Sequence, residues 1–449
     1  MNCVKKLTFL NHASVLIQDG KSFILTDPWY NKAAFGSWLP TPPTIYNPAY
    51  LLSLARSSES FYIAVSHGHD DHVDDKLLSL LAPYAGCIIP KYKSVGLKNR
   101  LKKCGFQDII EVDRTGAEVG NFCFKSYIFE DISMDDAMLA IYGTDYGVIH
   151  ANDNWQIMPD DIIQELKEDL SKYKKERRVY MSQTNLADGF PTIYENYSVE
   201  EKKKIVNNRQ ERIILAGVKN AMAVNAGAFL SYAGMALPFI NGQEHLLSVD
   251  SNVYVKSVTE IKELVRKHEL EDMILDMAPG DSYDYNKVQK PFGFELDHQY
   301  LKESCIDFYR HYSWFEACNT YDKDHSAPTN KFKQKLLDLF LSKFKSFVTG
   351  KVEQGSEFLP EVMNFNFRFE DSEVSSVCVM SDQPVTFVTF KFRNEILEKI
   401  LSGSANWENC YVGYQGSVMV EPDMNINPLI RWLSMFGYVY QNRIVNDYR

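Results

Sequence analysis

Between residues 65 and 72 the chain reads Val65-Ser66-His67-Gly68-His69-Asp70-Asp71-His72, with three imidazoles and two carboxylates inside six residues. The apolar run 61–65 just before it has the length and composition of a buried strand. Side chains two apart on an extended segment share a face, which puts His67 and His69 together. The turn that follows can bring Asp71 and His72 to the opposite side of the same small space. Imidazole nitrogens with a hard oxygen donor suit zinc, iron or manganese, and two half-sites of this kind suit two divalent ions. The chain holds ten histidines in 449 residues, so three within six positions argue against scattered surface histidines.

A chain of this length exceeds one compact core, and two or three domains are expected. Basic residues number 48 against 59 acidic, a net charge of −11 that argues against nucleic acid or an anionic membrane as partner. A small-molecule substrate remains, an anionic one included, because a bound metal supplies local positive charge. A homo-oligomer is compatible with the composition. The eight cysteines are spread along the chain with no Cys-x-x-Cys and no Cys-x-His, which points away from a zinc knuckle or a Rieske cluster. Reduced thiols fit a cytoplasmic location. Residues 1–12 read as a first strand and not as a signal peptide, and no apolar run is long enough to cross a bilayer.

Alternating apolar residues predict strands at 7–10, 14–17 and 23–27 around an Asp19-Gly20 turn. A proline-rich loop covers 29–48. A helix is expected near 77–81, strands at 87–90, 122–129, 137–142 and 147–151, and a surface helix over 160–177. Residues 199–207 read as a helix and 213–216 as a strand. A helix over 257–268 and a strand entering a sharp turn over 273–281 follow. An amphipathic helix spans 330–348. Strands at 364–369, 375–380 and 385–390, a helix at 394–401 and a strand at 411–420 make a small α+β unit. The chain thus divides into 1–290, a helical connection 291–350, and a C-terminal unit 351–449. Strands alternating with helices through residue 250 place the larger part in the α/β class.

The order hairpin, Asp27-Pro28-Trp29, then His-x-His-x-Asp-His resembles the metallo-β-lactamase superfamily. That resemblance implies a four-layer αββα sandwich with metals at one edge of its two sheets, here followed by a C-terminal α+β extension. Asn11-His12-Ala13-Ser14 followed by Leu25-Thr26-Asp27-Pro28 is most similar to the branch of ascorbate-phosphate lactonase and N-acylphosphatidylethanolamine phospholipase D. A longer series resembles the non-Rieske, C-terminal region of CMP-N-acetylneuraminate hydroxylase. It comprises Asp27-Pro28-Trp29, residues 65–69, Met181-Ser182-Gln183 through Gly189-Phe190-Pro191, Ala233-Gly234, and Trp407-Glu408-Asn409 to Gln415.

Carried over residue by residue, the resemblance gives His67 and His69 to a first metal and Asp71 and His72 to a second. Asp153 takes the place of the carboxylate that bridges both. The position of a third histidine on the first metal falls on Asp131, a departure that makes the site harder and shifts preference toward iron or manganese. His245 has the right order for the last ligand of the second metal, though an ordinary surface histidine fits as well. His12, Asp27, His150 and Asp281 are candidates for orienting a ligand or meeting substrate, each with a plain structural alternative in a strand or turn.

The chemistry implied is hydrolysis of an ester, amide, lactone or phosphodiester, with Asp71 orienting the attacking hydroxide or taking its proton and two divalent ions, zinc first, as cofactors. The resemblance extends this to a sugar or nucleotide-sugar substrate. Two alternatives stay open: a diiron, oxygen-activating oxidoreductase, and a binding module that serves a separate Rieske hydroxylase.

Overall fold

Residues 5–26 form an antiparallel meander: β1 (Lys5–Asn11), β2 (Ser14–Asp19) and β3 (Ser22–Thr26), with Leu7 opposite Ile17 and Leu16 opposite Leu25. Gly20 takes φ 64° in the Asp19-Gly20 turn, a conformation glycine adopts without steric cost. The computed structural model describes residues 4–30, 33–42, 46–128, 136–153, 158–185, 188–234, 236–238, 256–291, 329–352, 363–369, 373–379, 386–393, 396–402, 405, 407–421 and 433.

After β3 come β4 (Trp38–Pro40), α1 (Pro48–Ser57), β5 (Ser60–Ala64), α2 (Asp75–Leu81), β6 (Gly86–Pro90), α3 (Gly96–Lys103) and β7 (Ile109–Val112). The next group is β8 (Ala117–Val119), β9 (Phe122–Ile128), β10 (Ala137–Tyr142), β11 (Gly147–Asn152), α4 (Asp160–Ser171), β12 (Arg178–Gln183), α5 (Val199–Ala223) and β13 (Ala228–Tyr232). Then follow β14 (Ala236–Pro238), α6 (Val258–Arg266), β15 (Ser282–Tyr283) and β16 (Val288–Gln289). One sheet has the order β16-β15-β1-β2-β3-β5-β6-β7, the other β13-β12-β11-β10-β9-β8.

Three cores fix the layers. Phe9, Val15, Ile17 and Ile24 from the first sheet meet Phe124, Leu139, Val148 and Met181 from the second, all fully buried. The outer face of the first sheet, with Leu25 and Ile63, packs against Leu51, Leu77, Leu78 and Leu101 of α1, α2 and α3. The outer face of the second, with Ala140 and Tyr180, packs against Leu166, Ile214 and Val265 of α4, α5 and α6. Each such side chain contributes roughly 1.5–3 kcal/mol through removal from water. The result is the expected αββα sandwich.

The C-terminal residues form α7 (Asn330–Val352), β17 (Met363–Phe369), β18 (Ser375–Val379), β19 (Thr386–Phe392), α8 (Ile396–Ser402), α9 (Trp407–Tyr411) and β20 (Gly416–Glu421), with sheet order β18-β17-β19-β20. Phe340, Phe367, Phe392 and Trp407 share a core with Trp29, Phe35, Trp38 and Tyr194 of the sandwich. Among the described residues no helix is long and apolar enough to cross a membrane.

Several local expectations need correction. Residues 213–216 are not a strand but lie within the 25-residue helix α5, because Val206, Gln210, Ile213, Ile214, Gly217, Val218 and Ala221 bury one helical face. The β-branched Ile213-Ile214 pair favours strand only by local propensity, which that tertiary face overrides. Residues 273–281 hold only an isolated bridge from Ile274 to Phe229 ahead of the turn. The segment 411–420 divides into the end of α9 and β20. The helices α1 and α3 and the strand β7 carry weak periodicity and were not expected.

Candidate metal centre

The carboxyl ends of parallel strands leave a crevice where a ligand can sit. Here β3 and β5 run parallel in one sheet and β11, β12 and β13 run parallel in the other. Asp27 follows β3, the histidine loop follows β5, Asp153 follows β11, and Ala233-Gly234 follows β13. His12 enters from the β1–β2 turn.

Val65 N–H still donates to Ile88 O at 2.9 Å, so the strand hands the chain directly to Ser66 and His67. The loop is then held from both ends. Asp74 caps α2 by accepting from the Lys76 and Leu77 N–H groups. Arg100 of α3 donates to Gly68 O at 2.8 Å, Val73 O at 3.1 Å, Asp70 at 3.0 Å and Asp75 at 2.7 Å. A Cβ on Gly68 would meet nothing within 4 Å.

Beneath the loop sits the Asp27 carboxylate, fully buried. It accepts from Ser66 N–H and Ser66 Oγ, each at 2.7 Å, and lies 3.1 Å from His72 Nδ1 and 2.7 Å from His150 Nε2. Asn152 N–H donates to Tyr232 Oη at 3.0 Å, so the tyrosine proton goes to His150 Nδ1, 2.5 Å away, and His150 Nε2–H donates to Asp27. Ser66 Oγ, its proton given to Asp27, lies 3.0 Å from His67 Nδ1, and Asn152 Nδ2 lies 2.9 Å from the same nitrogen. His67 and His72 are thereby both turned with Nε2 toward the crevice, an arrangement of outer partners that fixes imidazole tautomers in metal sites. Burial opposes ionisation of Asp27, but His150 and His72 outweigh it and hold the carboxyl well below the usual carboxylate range.

Three donor groups converge above this base: His67, His72 and Asp153; His67, His69 and Asp136; and His12, Asp71 and His72. Asp153 lies 3.6 Å from His67 Nε2 and 3.8 Å from His72 Nε2, between the two halves. Asp136 Oδ1 is 3.8 Å from His67 Nε2, and His69 Nδ1 is 2.7 Å from the same nitrogen. Asp71 Oδ2 lies 3.1 Å from His12 Nε2 and 3.6 Å from His72 Nε2.

Electrostatics in this cluster are strongly displaced. Burial pushes the Asp153 carboxyl up to about 7, with Asp71 and Asp136 adding to the rise. Burial works against charge on His72, yet Asp71, Asp153 and Asp27 carry it up to about 10. Burial also depresses His67 well below the ordinary histidine value, and neighbouring His72 and His69 push the same way. Left by themselves, His72 Nε2, Asp71 Oδ1 and His12 Nδ1 are buried with no hydrogen-bond partner among the described residues. Buried polar atoms of that kind need an explanation, and cations between imidazole and carboxylate donors provide one. The donor set fits two divalent ions.

Of the residues singled out in the sequence, His67, His69, Asp71, His72 and Asp153 come together. His12 stands nearer than an outer role requires, since it lines the crevice and touches Asp71. Asp27 and His150 lie beneath the donors. Asp281 caps its own turn by accepting from Ala278 N–H at 2.9 Å and does not line the crevice. Asp131 and His245 fall outside the described residues. Asp136, five residues beyond Asp131, is the carboxylate placed against His67 and His69. Sequence reasoning passed over it because the acidic stretch offers several candidates and no spacing rule selects one. Backbone strain gathers here as well: His12, Asp27, Phe35, Asn152 and Ala233 are non-glycine residues with φ between 34° and 56°. Such conformations persist where surrounding structure enforces them.

The crevice opens between the sandwich and the C-terminal unit, where Phe35, Trp38, Gln183, Asn185, Glu408 and Val412 face the donors.

A sandwich of this kind with imidazoles and carboxylates at its strand ends supports a metal-dependent enzyme. Its layer order and the sequence of motifs at 27–29, 67–72 and 153 give a metallo-β-lactamase-type fold. No protein-family model matches the chain. A protein of Mycobacterium tuberculosis named as a Rieske 2Fe-2S iron–sulfur protein is 36% identical over 107 residues, which is 24% of this chain. The chain thus spans about a fifth, 20%, of the length of the curated relatives it matches. A metallo hydrolase from the archaeon Ignicoccus hospitalis is similar in structure, with TM-score 0.41 and 15% identity over 65% of this chain and 99% of that one. So is CmlA, a diiron β-hydroxylase from Streptomyces venezuelae, with TM-score 0.42 and 14% identity over 65% of this chain and 55% of that one.

Proposed function

We propose that the protein is a dinuclear metallo-hydrolase. The observation that carries this reading is the convergence of His67, His69 and Asp136 on one side of Asp153 and His12, Asp71 and His72 on the other, with orphaned donor atoms between them. His67, His69 and Asp136 would hold one ion and Asp71 and His72 the other, with Asp153 shared. Bound divalent ions lower the pKa of a coordinated water and polarise a carbonyl or phosphoryl oxygen.

The chain's own residues supply the rest. Asp71, with Oδ2 against His12 and Oδ1 unpartnered, is placed to accept a proton from an attacking water. His12 steadies that carboxylate and can carry the proton onward, its own basicity lowered by burial. Phe35 and Trp38 exclude water on one side, and Gln183 offers an amide group to orient a scissile ester, amide, lactone or phosphodiester.

The test is elemental analysis of the purified protein together with hydrolysis of generic ester and phosphodiester substrates. About two zinc ions per chain with hydrolysis supports the reading; a chain that takes up no divalent ion overturns it.

A second reading has a specific observation behind it. The partner of His67 and His69 is the carboxylate of Asp136, a harder donor than imidazole, which favours iron or manganese. With two irons the site would be suited to oxygen activation, and the similarity to proteins named as Rieske proteins makes a separate iron–sulfur electron donor a reasonable partner. Iron at two per chain with oxygen consumption, and no hydrolysis, selects this alternative.

A further inference from the structure

We propose that Tyr232 is a positioning residue for the metal centre. Its hydroxyl bonds to none of the donor atoms, yet sets the aim of His72 through His150 and Asp27, and of His67 and Asp153 through Asn152. The proposal rests on the metal-dependent reading of the crevice.

Tyr232 ends β13, and its ring is buried in the core between the two sheets. A phenylalanine would fill that core as well, so packing does not account for the hydroxyl. Strand β12 lies between β13 and β11, and the Tyr232 side chain crosses it to reach β11. There the pairing of β11 with β12 shifts register between His150 and Asn152. A shift of this kind leaves a residue outside the regular ladder. Asn152, at φ 56°, gives its N–H to Tyr232 Oη at 3.0 Å.

A backbone N–H can only donate, so the single phenolic proton is left for His150 Nδ1, 2.5 Å away. The direction of the later bonds follows. His150 carries its proton on Nε2 and donates it to Asp27 Oδ2 at 2.7 Å, and the same oxygen lies 3.1 Å from His72 Nδ1. The hydrogen bond at one imidazole nitrogen decides that the other is open to a metal, which turns His72 Nε2 to the crevice.

The second branch is shorter. Asn152 Nδ2 lies 2.9 Å from His67 Nδ1 and 2.5 Å from Ser66 Oγ, and the next residue in the chain is Asp153. A non-glycine residue at positive φ stays there where its surroundings enforce it, and the bond to Tyr232 is one such restraint. Tyr232, Asn152, His150, Asp27, His72 and His67 are each at most 1% exposed, so bulk water does not replace a bond that is lost.

Tyr232→Phe keeps the ring and leaves the Asn152 N–H and His150 Nδ1 buried and unpaired. Tyr285→Phe is the matched control, because that tyrosine is buried in the same core and its hydroxyl has no partner among the described residues. The metal-free full chain of each is titrated with cobalt(II), following uptake and the visible absorption of the bound ion. Tyr232→Phe should weaken both ions about tenfold, the scale of losing a partner behind a metal ligand. It should also shift the cobalt absorption and still take up two ions at saturation. Tyr285→Phe should match the wild type in all three respects.

Wild-type affinity and absorption in Tyr232→Phe overturn the proposal, and so does equal weakening in Tyr285→Phe, the mark of general loosening. Weakening of one ion alone removes one of the two branches and overturns it as stated. If the wild-type chain takes up no ion, the dinuclear reading fails, and nitrogen-15 spectra of the histidine rings in the metal-free chain decide. Tyr232→Phe should then move the His150, His72 and His67 ring signals, and unchanged signals overturn the proposal.

Discussion

Asp27 Oδ2 lies 3.1 Å from His72 Nδ1 with both side chains fully buried, so a carboxylate at the end of one strand orients an imidazole in the loop after another. The same oxygen is shared with Ser66 and His150, and one residue thus anchors three segments of the site. Asp27→Ala removes this anchor and leaves buried partners unpaired. The expected loss is about 3–5 kcal/mol, read as a lower denaturation midpoint at unchanged slope. Metal content should fall in the fraction that still folds.

His69→Ala should empty at least one metal position and abolish turnover with little change in stability. His69 is placed among donors at the crevice, not in any of the cores. Elemental analysis beside the wild type decides the point, and unchanged metal content would remove the basis for the centre.

Asp136 and Asp153 should separate under substitution. Asp153→Asn touches both halves and should lower the total by more than one ion per chain. Asp136 groups with His67 and His69 on one side, so after Asp136→Asn one ion should remain. Equal losses would argue against a shared role for Asp153.

Metal uptake should release protons and tighten as pH rises. In the metal-free protein burial disfavours charge on His72, but Asp71, Asp153 and Asp27 raise it to about 10, and Asp153 is raised to about 7. Both therefore hold protons that a cation must displace at neutral pH. The raised His72 value also makes its contribution to metal-free stability fully present below about 6.5 and lost as pH climbs through about 10. Calorimetry in buffers of different ionisation enthalpy counts the protons. Denaturation of the metal-free chain on either side of that window checks the stability sign.

Arg100→Ala should loosen the histidine loop from outside the site. Its guanidinium holds Gly68 O, Val73 O, Asp70 and Asp75 at once. A loss of about 1–3 kcal/mol is expected from those half-buried charged hydrogen bonds, with metal affinity weakened but the number of ions at saturation unchanged.

The histidine cluster was legible in the chain because short-range geometry decides it: a two-residue period on an extended segment puts His67 and His69 on one face whatever surrounds them, while the Asp27 turn and Asp153 were reached only through the family resemblance. Local patterning likewise marked the strands of the hairpin and the paired strands at 137–142 and 147–151, where buried positions run continuously. It failed at Ile213-Ile214, since an apolar pair fits a strand or a helix equally until its packing partners are known. It did not select Asp136 over its acidic neighbours, foresee that Asp27 would serve His72 and His150 together, or place Glu408 beside the donors. Those relationships join residues up to several hundred positions apart, and only the stacking of two sheets and the docking of α9 bring them within reach. The sequence set which groups the chain carries and how near neighbours are aimed; the tertiary structure decided which distant groups share one desolvated space, because proximity there comes from packing and not from order along the chain.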